Sequence, residues 1–62
     1  MRKIEYKGYY IFISQVEENL IFCSIARDEE NEDIVDTFRM TGNDINSDET
    51  AEKVKVYVDE AI

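Results

Sequence analysis

The chain has 62 residues and a mass of 7.3 kDa, room for one small domain spanning 1–62. Fifteen Asp and Glu against seven Lys and Arg give a formal charge of −8. Direct binding to DNA, RNA or an anionic membrane is excluded as an expectation, because a phosphate-binding surface needs clustered positive charge.

The charge is unevenly spread. Residues 1–27 hold three acids and four bases, a net of +1, whereas residues 28–62 hold twelve acids and three bases, a net of −9. A single cysteine, Cys23, leaves no internal disulfide, and without histidine there is no zinc ligand set. A chain of this mass exposes roughly 4,200 Å² when folded and buries only about 60% of its extended surface, so its core is small. With 44% hydrophobic residues and no proline, it still has enough apolar surface to collapse.

Met1-Arg2-Lys3 starts with positive charge, but no apolar segment of signal-peptide length follows. The longest apolar runs, Tyr9 to Ile13 and Leu20 to Cys23, fall far short of the ~20 residues that cross a bilayer. The expectation is a soluble, cytoplasmic protein. Tyr9 to Ile13 and Leu20 to Ile25 are rich in β-branched and aromatic residues and predict an antiparallel hairpin, with Asn19 taking the left-handed conformation of its turn. Gly8 predicts a bulge or bend within the first strand.

Asp28 to Asp33, five acids in six positions, predicts a solvated connection. A third strand is expected over Ile34 to Met40, broken by Thr41-Gly42-Asn43-Asp44. From Asn46 or Ser47 onward, Ala51, Val54, Val58, Ala61 and Ile62 form one helical stripe with Tyr57 at its edge. Asn46 or Ser47 can cap that helix, Asp48, Glu49 and Glu52 suit its positive end, and Glu49 can pair with Lys53. The fold class expected is α+β, a three-stranded antiparallel meander with one C-terminal helix packed on one face (β-β-β-α).

Alternation assigns Tyr9, Ile11, Ile13, Ile21, Cys23, Ile25, Phe38 and Met40 to the helix-facing side. The other side then carries Tyr6, Tyr10, Phe12, Val16, Leu20, Phe22 and Val35, with Ser14, Ser24, Thr37 and Arg39 between them. Such a face is too apolar for one that only meets water, and it predicts an interface.

Catalysis has little to work with. No histidine is present for proton transfer, the two glycines form no phosphate loop, and Cys23 sits mid-strand among apolar residues. Asp44-Ile45-Asn46-Ser47-Asp48 begins like a calcium loop, but the positions that need Gly and a bidentate Glu hold Glu49 and Lys55. Helix capping explains those residues better. The expectation is therefore no catalytic residue, no metal and no cofactor.

Tyr6-Lys7-Gly8-Tyr9 leading into a hairpin, with Gly42 and then Asp48-Glu49-Thr50-Ala51 opening a helix that ends Val58-Asp59-Glu60-Ala61-Ile62, resembles small β-β-β-α proteins of bacteria and phages, among them the HicB-like antitoxin domain. DNA binding in that family often rests on a C-terminal continuation absent from these 62 residues, so the resemblance does not imply it. In size, acidity and lack of catalytic residues the chain also resembles phage-encoded inhibitors of the anti-CRISPR or DNA-mimic type.

That second resemblance implies an inhibitor acting in the host cytoplasm on the basic, nucleic-acid-binding surface of a protein partner such as a CRISPR effector or nuclease. The residues expected to meet it are Asp28, Glu29, Glu30, Glu32, Asp33 and Asp36, with Tyr10, Phe12 and Phe22 supplying the desolvated contact. Asp44, Asp48, Glu49 and Glu52 form a secondary acidic surface. The alternative is a homodimeric structural or antitoxin-like module that uses the apolar sheet face as its self-interface.

Overall fold

The computed structural model describes residues 1–62. Its elements are strands β1 (Arg2–Tyr6), β2 (Tyr9–Glu17), β3 (Leu20–Ala26) and β4 (Ile34–Thr41), followed by helix α1 (Asp48–Ala61). All neighbouring strands pair antiparallel in the order β1-β2-β3-β4. The α+β class, the antiparallel sheet and the single C-terminal helix agree with the sequence reading. The strand number is corrected from three to four.

The correction lies at Gly8. Lys7 and Gly8 both have positive φ, 53° and 82°, and Tyr6 pairs directly with Tyr9. Two residues of positive φ between paired positions make a tight hairpin turn whose twist suits the flanking strands. Gly8 therefore reverses the chain rather than bending one strand. The second hairpin turns at Glu18-Asn19, where Asn19 has the expected positive φ of 63°. Val16 is the extra residue of a β-bulge between Gln15 and Glu17, and it stands half exposed.

Register settles the faces. Ile4, Ile11, Ile25 and Asp36 lie across one level of the sheet, and Ile13, Cys23 and Phe38 across the next. Ile11, Ile13, Ile21, Cys23 and Ile25 are fully buried together with Val54 and Val58 of α1. Ile4, Tyr6, Tyr9, Val35, Phe38, Met40, Ile45 and Tyr57 pack around that centre. Tyr6 and Val35, expected on the far side, thus belong to the helix-facing side. Tyr6 moves because the Lys7-Gly8 turn resets the alternation, and Val35 because the pairing shifts between Ile25 and Ala26.

The stripe of α1 is shorter than its periodicity suggests. Thr50, Ala51, Val54 and Val58 are buried, whereas Ala61 is exposed and Ile62 is about half exposed, because the helix end overhangs the core. Ser47 is the N-cap, its Oγ accepting the Thr50 N–H at 3.1 Å, and the Thr50 hydroxyl donates to the Asp44 carbonyl at 2.7 Å. Asp44 itself accepts the Asn46 N–H. The residues that resemble a calcium loop thus build the helix cap.

Side chains tie both edges of the sheet to α1. The Arg2 guanidinium on β1 donates to the carbonyls of Ile45 and Ser47 at 3.1 and 3.2 Å. Tyr6 donates to Asp59, which also pairs with Lys7. That places a cation beside the negative end of a helix whose own last turn has none. On β4, Phe38 stacks on Tyr57 with centroids 3.8 Å apart, and the Tyr57 hydroxyl donates to Asp36 at 2.7 Å.

Gly8→Ala adds a Cβ with nothing within 4 Å, so its cost is conformational alone. It is expected to lower stability by about 1 kcal/mol, read as a lower urea midpoint at unchanged slope. Ser47→Ala removes the cap and is expected to cost about 1 kcal/mol in the same measurement.

Candidate interaction surface

The sheet side away from α1 is built by alternate residues of all four strands. Glu5, Tyr10, Ala26 and Ile34 form one row, and Lys3, Phe12, Ser24 and Thr37 the next. Ser14, Phe22 and Arg39 follow, and Leu20 and Thr41 close the face. Tyr10, Phe12, Leu20 and Phe22 are each half-buried, and Ile34 is 47% exposed. The predicted aromatic trio Tyr10, Phe12 and Phe22 therefore does share one surface.

Two cations partly cover it. The Lys3 ammonium lies 5.7 Å from the Tyr10 ring centroid, and the Arg39 guanidinium carbon 6.0 Å from that of Phe22. These distances put both at the ring faces, where the aromatic quadrupole attracts a cation and the aliphatic stems shield apolar surface. Alternation alone marks Arg39 as a polar interruption of this face and does not mark Lys3. Only the strand register supplies the signal: Arg39 pairs directly with Phe22, and Lys3, paired with Phe12, reaches the diagonal neighbour Tyr10.

The acidic connection is a folded loop that lies over one end of this face. The Asp28 carboxylate accepts the backbone N–H of Asp33 at 2.8 Å and of Glu32 at 3.0 Å. Those bonds, the one from Asp33 foremost, hold its carboxyl below the usual aspartate range. Asn31 has positive φ, 59°, and its side chain bonds the hydroxyl of buried Ser24 at 2.6 Å. The Arg27 N–H donates to the Asp33 carbonyl, and their side chains form an exposed ion pair. Asn31 and Ser24, absent from the predicted set, are the residues that fix the loop to the sheet.

These bonds divide the predicted acids. Asp28 and Asp33 are occupied within the loop, and Asp36 belongs to the opposite side of the sheet, where it receives Tyr57. Glu29, Glu30 and Glu32 form no side-chain hydrogen bond or ion pair. Glu29 and Glu30 stand near Tyr10: burial pushes its hydroxyl above the ordinary phenol range, and the negative charges of Glu5, Glu29 and Glu30 add to this. The secondary acids are elsewhere. Asp48, Glu49 and Glu52 lie on α1, across the sheet from the aromatic face, with Glu49 paired to Lys53 at 3.3 Å as the spacing predicted.

No cavity opens on the molecule, and no three His, Cys, Asp or Glu side chains are grouped to hold a metal ion. Cys23 is fully buried, which pushes its thiol up to about 11 and keeps it protonated at neutral pH. No helix is long and apolar enough to cross a membrane. No family model, curated protein or solved structure matches the chain.

The loop has a pH dependence of definite sign. A carboxyl depressed in the folded state stabilises it above the unfolded aspartate value of about 3.9, and that contribution is lost as pH falls through the folded value. The Glu32 and Asp33 amides are expected to exchange slowly at about pH 5 and to lose protection on further acidification. Asp28→Ala should remove that protection at neutral pH while the core amides of β2 and β3 keep theirs.

Proposed function

We propose that this protein is a non-enzymatic interaction module, an inhibitor that occupies a basic, nucleic-acid-handling surface of a partner such as a CRISPR effector or nuclease. The observation that carries the reading is that the acidic loop is bonded through Asn31 to Ser24, the cross-strand neighbour of Phe12, with the unpaired carboxylates of Glu29 and Glu30 acting on Tyr10 at that end of the aromatic face. Separated acids and rings would suit only solubility or packing. Side by side, they combine long-range attraction for a cationic surface with rings that become desolvated on contact.

The loop geometry adds to this. A loop folded by its own Asp28 and anchored by Asn31 has its backbone already ordered, so presenting its glutamates costs side-chain entropy alone. It also makes the face uneven where it crosses Ser24. An uneven face suits a partner element laid beside the loop better than a flat stack of two identical sheets, the arrangement a homodimer would use. The acids on α1 face away and serve solubility in this reading.

The test is affinity capture with the whole chain against purified CRISPR effectors, nucleases and polymerases, followed by binding measurements across a salt series. Binding is expected to weaken with salt and to drop on the order of tenfold on reversing Glu29, Glu30 and Glu32 together to Lys. The nucleic acid of the partner should compete. Capture of none of these proteins, or binding indifferent to salt and charge reversal, overturns the reading. A salt-resistant dimer in light scattering, broken by Phe12→Glu or Phe22→Glu, would establish the homodimer in its place.

A further inference from the structure

The aromatic face already holds cations of its own, one lysine and one arginine, and so shows that its rings accept a positive charge. Lys3 lies over Tyr10 and Arg39 over Phe22, while Phe12, between Lys3 and Ser24 in its row, has no cation over it. Carboxylates stand at one end of the same face, Glu5 opposite Tyr10 on β1 and Glu29 and Glu30 in the loop. We infer that this face selects arginine over lysine, receiving an arginine-bearing segment of a protein partner whose guanidinium planes stack on Phe12, Phe22 and Tyr10 and whose N–H forks bind the loop glutamates.

The discrimination follows from the two cations. Guanidinium is planar and weakly hydrated, so it can stack on a ring and still offer paired donors to a carboxylate in its own plane. Ammonium is compact and strongly hydrated, so it gains the Coulomb attraction but little from the ring. A surface of carboxylates alone would hardly separate them. Rings beside carboxylates do, and Lys3 and Arg39 then act as resident covers that an incoming arginine displaces. Both are exposed, so moving them leaves the core intact.

The inference rests on the docking reading given above, and the experiment separates their failures. The whole chain is titrated with nona-arginine and with nona-lysine, peptides of equal charge, by fluorescence anisotropy. Nona-arginine is expected to bind about fivefold more tightly or better. Phe12→Leu and Phe22→Leu, which keep apolar bulk but remove the ring, should bring that ratio toward one. Charge removal at Glu29 and Glu30 by substitution with Gln should weaken both peptides.

Arg39→Gln and Lys3→Gln change exposed positions and carry the test even where a ring variant fails to fold. They should strengthen nona-arginine more than nona-lysine. Equal binding of the two peptides, or a ratio unmoved by the ring and cover variants, overturns the inference and leaves the docking reading in place. Failure of both peptides to bind overturns the two together.

Discussion

Val54 and Val58 of α1 meet the isoleucines of β2 and β3 on one side of the sheet, and the rest of the molecule is arranged around that contact. A 14-residue helix is about 21 Å long and covers a strip some 10 Å wide, enough for the two central strands of a four-stranded sheet. The buried set accordingly comes from β2, β3 and α1, while β1 and β4 contribute partly buried side chains at the margins. Those margins are held by polar links from each edge strand to the helix or its approach: Arg2 and Tyr6 on one side, Asp36 and the stacked Phe38 on the other. A core this small depends on such links more than a larger domain would.

The same geometry leaves the opposite side of the sheet without a second layer. Its apolar area is reduced by long side chains rather than by secondary structure, since Lys3 and Arg39 lie across rings and the loop after β3 folds over Ser24. Such cover is reversible. A lysine stem or an arginine plane can leave a ring at little cost, whereas removing α1 would expose the isoleucine core. The sheet therefore has one face covered by a helix and one covered only by long side chains and a loop.

The acidic residues follow the same division of labour. Asp28 closes its loop by accepting backbone N–H groups, Asp33 pairs with Arg27, Asp36 receives Tyr57, Asp44 shapes the approach to the helix, and Asp59 ties α1 to the first hairpin. Every one of these is an aspartate, whose short side chain reaches local partners. The carboxylates of Glu29, Glu30 and Glu32 extend from the loop without such partners. The acidic surface on α1 is a separate one on the other side of the sheet.

Periodicity and composition by themselves determined the α+β class, the central hairpin, the set Ile11, Ile13, Ile21, Cys23 and Ile25, the helix with its cap near Ser47, and the sharing of a face by Tyr10, Phe12 and Phe22. These depend on alternation and helical spacing, which are local and leave a direct trace in residue order. Only the tertiary structure decided that Lys7-Gly8 makes a turn and so a fourth strand, because the same glycine is compatible with a bulge until the partner of Tyr6 is known. Only it decided which acids are occupied, since Asp28, Asp33 and Asp36 find their partners through backbone curvature and cross-sheet register. The placement of the loop against the aromatic face rests on one bond between Ser24 and Asn31, seven residues apart, whose geometry no spacing rule encodes.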